Sequence, residues 1–397
     1  MVLNRFFLTE VDTEAMEASS ALALADDAIG QLSKEGVPTL IAREKPTPAY
    51  SDILKRGDYY ARTDRVPPVT PHFLPPLPAN SRNDRAGLAD WLLSAEQPLF
   101  ARVAINRMWQ ELFGVGLVDS SGDFGVMGSK PSHPELLDWL AVEFRENGWD
   151  VKAMYRLLVT SATYRQSAQV KPEHLVKDPA NRLLARGPRF RMDGEVLRDA
   201  ALATSGLLVG TIGGPPVKPY QPPGVWEEVA MPESNTKSYV DDRGEGLYRR
   251  SLYTFWKRAS PPPSMETFDA PSRETVCVRR PRSNTPLQAF VTMNDTQWVE
   301  AARKMAERAL HAHADRDARI DLLATLTLGR RLAADERAVI TQSLQGFTQY
   351  FKNSAGAAEE FIAVGDSPPD PKLAPMELAS WTLVASQFYN LDEFLTK

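Results

Sequence analysis

Proline placement limits this chain before any other property does. Its 31 prolines crowd into "KPTPAY" and "RVPPVTPHFLPPLP" at residues 45–78, "GGPPVKPYQPPGVW" at 213–226 and "PPP" at 261–263. Proline fixes φ and lacks an amide donor, so no helix passes through these stretches. Between them the apolar residues recur at helical spacing. Ile105, Met108, Trp109 and Leu112 define one helix, and Gly114 is a natural stop. Ser132 with Glu135 reads as a capping box ahead of Leu137, Leu140 and Phe144. Met154, Leu157 and Leu158 continue the pattern, as do Val196, Ala200, Ala203 and Leu207. After Pro286, Asn294 reads as the cap of a run carrying Trp298, Ala302, Met305 and Ala309. Further helices are expected near 315–328, 333–352 and 375–389. Residues 12–34, alanine-rich and acidic, read as a lead-in helix, and 249–258 as a strand.

The expected fold is mainly α: a multi-helix globular domain with a proline-rich, partly β central insertion. Residues 1–45 form the lead-in segment and 46–85 an ordered proline-rich connection. Residues 86–397 form the main domain, helical over 86–207, irregular or β over 208–285, and helical again over 286–397.

A net charge of −5 argues against general polyanion binding, so nucleic acid is not the expected partner. No run approaches the roughly 20 apolar residues of a membrane span. The opening "MVLNRFFLTEVDTEAMEA" meets acids too early for the apolar core of a signal peptide. Cys277, the single cysteine, cannot supply paired thiolates to a metal and reads as a small buried side chain. His311 and His313 point to different sides of one helix, so no metal site is expected. "DFG" at 123–125 lacks the other parts of a kinase, and His133 reads as a residue of the following helix start.

The chemistry concentrates in "LYRRSLYTFWKRASPPPSMETFDAPSRE", residues 247–274, and "RRPRSNTPLQAF", 279–290. Taken as a strand, the first stretch mixes arginines with aromatics on both faces, which suits guanidinium groups stacked on rings and forked onto carboxylates. Arg249, Arg250, Arg258, Arg273 and Arg280 with Asn284 are the expected ligand-binding residues, Tyr253 and Trp256 the stacking surface, and Asp269 the acid or base. Trp226 is a further ring that could face a ligand. The ligand class is anionic or carbohydrate. The rival reading keeps the same arginines as internal staples that satisfy irregular backbone. A second cluster, "NRLLARGPRFRMDGEVLRDA", places Glu195, Arg198 and Asp199 on one helix surface behind Arg182, Arg186, Arg189 and Arg191, and reads as surface ion pairing. No reaction follows from these residues.

Several long motifs resemble one family: "NRMWQELFGVGLV", "DFGVMGSKPSHPELLDWLAVEF", "SATYRQS", "YRRSLYTFWKRASPPPSMETFDAPSRE", "RRPRSNTPLQAFVTMND" and "FYNLDEFLTK". In these motifs the chain is similar to the planctomycete cytochrome-associated C-terminal domain of unknown function, domain of unknown function 1553. The resemblance implies an exported protein of the periplasm or cell envelope, with a redox role in polysaccharide breakdown. It also implies a cytochrome-c-like domain as neighbour or partner. This chain departs from the pattern in having no Cys-x-x-Cys-His haem motif and no export signal. No cofactor is therefore expected within it, and a haem domain would be separate. The family offers no established catalytic residues to carry over. The functional expectation is an accessory or catalytic envelope module that binds an anionic or glycan ligand; the alternative is a non-catalytic scaffold that docks a cytochrome-bearing partner.

Overall fold

The structure is a computed structural model that describes residues 6–7, 10–35, 39–47 and 50–397. Pro48 and Ala49 of the proline-rich connection, and residues 1–5, 8–9 and 36–38 of the lead-in segment, lie outside the described residues. The protein is mainly helical and divides into two units, Met1–Gln97 and Pro98–Lys397.

The first unit opens with α1, Thr13–Glu35, whose start is capped by Asp12 Oδ1 accepting from Ala15 N at 3.1 Å. The connection holds a feature that its prolines do not announce, an antiparallel hairpin of β1 (Ser51–Leu54) and β2 (Arg62–Val66). Its turn needs left-handed backbone at Arg56 (φ 54°) and Gly57 (φ 77°), conformations glycine adopts freely. Asp52 takes Arg62 and Arg65 at 3.2 and 3.5 Å, and Arg65 lies 3.7 Å over the Tyr50 ring. Helix α2, Arg85–Leu93, is capped by Asp84 and buries Trp91, whose indole donates to Pro75 O at 2.7 Å. Gly87 is obligatory there: a Cβ would sit 1.8 Å from Arg82 O.

The second unit has two main cores. Helices α3 (Phe100–Phe113), α4 (Pro134–Glu146) and α5 (Val151–Thr160) enclose Ile105, Trp109, Leu137, Leu140, Phe144 and Leu158. These are largely the residues that the helical spacing selects. After the short α6 (Pro172–Lys177) comes α7 (Gly194–Ser205), then the insertion with α8 (Pro263–Glu266). The remaining helices are α9 (Pro286–Asn294), α10 (Thr296–Ala312), α11 (Arg316–Leu328), α12 (Ala334–Asn353), α13 (Ala357–Ile362), α14 (Pro375–Tyr389) and α15 (Asp392–Leu395). Around α10 and α14 the larger core gathers Leu197, Trp298, Met305, Ile320, Leu378 and Phe388. No helix among the described residues is long and apolar enough to cross a membrane.

Four local expectations differ from the structure. Residues 249–258 are not a strand: the tight turn Ser251–Tyr253 follows another at Gly244–Tyr248, and the pairing is confined to isolated bridges of Val209 with Arg249, Val217 with Thr254 and Lys257 with Ser260. The would-be partner strand contains Pro215, Pro216 and Pro219, which cannot donate to a ladder. His133, not Ser132, precedes α4, because Pro134 sets the first helical position; Ser132 Oγ instead meets His133 Nδ1 at 3.0 Å. Asp295, not Asn294, caps α10, with Oδ1 accepting from Gln297 N at 2.9 Å. Cys277 is exposed, since its loop between Ser272 and Arg279 runs over the surface with no apolar layer above it.

Candidate functional site

Helix α7 organises the insertion. Arg198, which the sequence places on a surface, is buried, because the insertion wraps over its side of the helix. It donates to Arg249 O, Leu247 O, Ser251 Oγ and Gln297 Oε1 at 2.6–3.2 Å. Asp199 accepts from Ser251 N at 2.7 Å and takes Arg250 at 3.5 Å. Glu195 takes Arg280 through both oxygens, at 2.6 and 3.2 Å.

The expected site residues fall into separate local groups. Arg249 is buried and donates to Pro215 O at 3.1 Å, Thr211 O at 3.2 Å and Gly213 O, with its guanidinium 3.9 Å over the Tyr253 ring. Trp256 donates to Ser272 O at 3.0 Å and carries Arg273 at 4.3 Å. The Asp269 carboxylate accepts from Ser283 N at 2.6 Å and from Ser283 Oγ at 2.8 and 3.0 Å. Asp269 (φ 61°) and Arg273 (φ 65°) both hold left-handed backbone, a strained state for such residues. Arg258 and Asn284 are exposed. Trp226 is buried against Tyr239 and Phe255, with Lys257 Nζ 4.8 Å over its ring.

A different arginine and aromatic site emerges from residues that sequence reading treats as two unrelated clusters. A pocket of about 470 Å³ opens between the end of α3, residues 179–190 and the segment before α9. Trp109, Phe113 and Phe190 form its apolar wall, and Arg182, Arg186, Arg189, Arg279 and Arg282 line it. Arg182 donates to Gly116 O at 2.8 Å and Leu117 O at 3.0 Å. Arg186 donates to Asp178 O and Pro179 O at 3.1 and 2.8 Å. Arg282 donates to Gly114 O at 3.0 Å and lies 4.1 Å over Phe190. Gly114 has φ 82°, and a Cβ there would lie 2.8 Å from Phe190 and 3.3 Å from Arg282 Nη1, so the wall closes only around glycine.

The partners of Arg182, Arg186 and Arg282 are neutral carbonyls, which orient a guanidinium without cancelling its charge. Arg279 and Arg189 differ, pairing with Asp119 at 2.9 Å and Asp392 at 2.5 Å on the rim. Burial holds the Arg282 guanidinium below its ordinary value, opposed by Asp193 and Glu111, and its Nε is buried with no partner among the described residues. A desolvated donor of this kind is costly unless something accepts from it.

A second hollow, of about 10 Å³, brings Arg198, Asp295 and Gln297 against Met265, Phe268 and Trp298, with room for about one water. Gln297 Nε2 is buried there without a partner among the described residues. Burial pushes the Asp295 carboxyl up to about 6, against its bond from Gln297 N and the pull of Arg198. A raised carboxyl binds more protons folded than unfolded, so between about pH 4 and 6 stability falls as pH rises. The Asp295→Asn variant keeps the cap, should flatten that slope, and should gain up to about 3 kcal/mol near neutrality; urea titrations from pH 4 to 8 check it.

Residues 84–344 match the PSD1 model, described as a protein of unknown function (DUF1553). The chain belongs to this family. Its matched segment takes in α2 to α11, and therefore both arginine clusters that meet at the pocket. No curated protein and no solved structure matches the chain.

Proposed function

We propose that this family member binds an anionic ligand in the pocket between Arg182, Arg282 and Phe190. The observation that supports the reading is the set of three guanidinium groups on neutral carbonyl partners beside an aromatic wall. Such groups donate to carboxylate, sulfate or phosphate oxygens in a forked geometry, while a ring face receives the apolar side of a flat or sugar-like body. An acidic oligosaccharide unites that chemistry with the envelope and polysaccharide setting that the family resemblance implies. The residues 249–273 group serves in this reading as internal bracing, and the pocket takes over the ligand role first expected of it.

The test is calorimetric titration with oligogalacturonate, a heparin-derived oligosaccharide and neutral cello-oligosaccharide. The acidic ligands should bind and weaken with salt, and Arg282→Gln should cost about tenfold in affinity, the scale of one charge-assisted bond. Binding of the neutral ligand alone, or of none, overturns the proposal.

A further inference from the structure

Helix α1 carries a heptad seam that the described residues of its own unit leave largely exposed. Ala15, Ala18, Leu22, Ala25, Ile29 and Leu32 follow one another at alternating steps of three and four residues. That spacing keeps one stripe in line along a supercoiled pair of helices. Leu22, Ile29 and Leu32 are 63%, 61% and 69% exposed; Ala18 and Ala25 are exposed and Ala15 half-buried. A stripe this regular has its physical use in a second helix, and the three alanines allow two axes to approach closely.

The charges beside the seam specify the occupant. Glu14 and Asp26 flank it, Glu17 and Asp27 lie further round, and the helix's one cation, Lys34, stands on the face away from the seam. With Glu14, Glu17, Asp26 and Asp27 against the single Lys34, a second copy would set two acidic helices side by side. A helix with apolar residues at heptad spacing and lysine or arginine beside them would meet opposite charge at Glu14 and at Asp26. We propose that α1 is the docking helix for a basic amphipathic helix of a partner protein, held in a two-helix coiled coil.

The test uses the full chain and a fluorescein-labelled three-heptad peptide with leucine at the seam positions and lysine beside them, together with a twin carrying glutamate in place of lysine. Anisotropy should rise with the lysine peptide and not with its twin. The double variant Leu22→Asp/Ile29→Asp should bind the lysine peptide at least tenfold more weakly, although its added acids would strengthen mere charge attraction. Its thermal melt should match the parent, because both altered side chains are more than half exposed. Unchanged binding by that variant, equal binding of both peptides, or no binding of either overturns the proposal. So does dimerisation of the chain alone, in sedimentation, that the same variant abolishes; the seam would then belong to a second copy.

Discussion

Replacing Arg198 with methionine should cost the second unit about 3–5 kcal/mol, the loss typical when one member of a buried charged network is removed. Arg198 is 5% exposed and its forked end serves four acceptors drawn from two stretches of chain: the Leu247 and Arg249 carbonyls with the Ser251 hydroxyl, and the Gln297 amide oxygen. Methionine fills similar volume but donates nothing, so those oxygens stay desolvated and unpaired. Burial lowers the guanidinium to about 10, opposed by Asp199 and Asp295, and it therefore stays charged at neutral pH. Arg198→Lys keeps the charge but cannot fork, and should recover no more than about half of the loss. Urea unfolding at pH 7 measures both. A methionine variant within about 1 kcal/mol of the parent would mean that the turns from Gly244 to Tyr253 hold themselves, and that the bracing role assigned to α7 is wrong.

How far the sequence discloses this molecule depends on whether the deciding contact is local. Helix α14 is observed as Pro375–Tyr389, the span its apolar spacing defines, because proline at the start and periodicity within are properties of fifteen neighbouring residues. The hairpin Ser51–Val66 also had a local signal, the "RGD" at 56–58 between two short β-prone runs, which the surrounding prolines obscured. Arg198 shows the opposite case. Its spacing from Glu195 and Asp199 suits an exposed ion-pair ladder equally well, and only the return of Leu247–Ser251 over that face buries it. The pocket is less local still. Arg182 and Arg282 stand far apart in the chain, and they converge because both reach carbonyls of one short turn, Gly114 to Leu117, at the end of α3. The abundance of arginine and aromatic residues was legible; which arginines rest on neutral carbonyls and which on carboxylates depends on contacts that no spacing rule reveals.

Glu300→Ala should be the second large loss, again about 3–5 kcal/mol, by removing the centre of a buried polar network. Glu300 is fully buried on α10. Its Oε1 accepts from Tyr248 OH at 2.8 Å and Ser367 N at 2.7 Å, and its Oε2 from Tyr220 OH at 3.2 Å. One turn on, Arg303 is 1% exposed, pairs with Glu307 at 2.8 Å and donates to Pro368 O at 3.1 Å and to Ser367 O. The two acids and one arginine thus clamp residues 366–368 to both the insertion and α10, a join that apolar packing alone would not register. Burial, reinforced by the bond to Glu300, raises the Tyr248 hydroxyl above its ordinary value, and burial beside Glu300 raises Tyr220 to about 12. Both therefore remain donors throughout the physiological range. Gly365, at φ 97°, passes so close that a Cβ would lie 2.4 Å from the Glu300 carboxyl carbon, so Gly365→Ala should fail in the same direction by pushing the carboxylate off its donors. Glu300→Gln keeps one acceptor oxygen and should lose less than alanine. Hydrogen exchange distinguishes a local from a global effect: in the alanine variant the Ser367 amide should lose its protection first, ahead of the amides in the middle of α14. Unchanged protection at Ser367 would show that Arg303 alone secures the clamp.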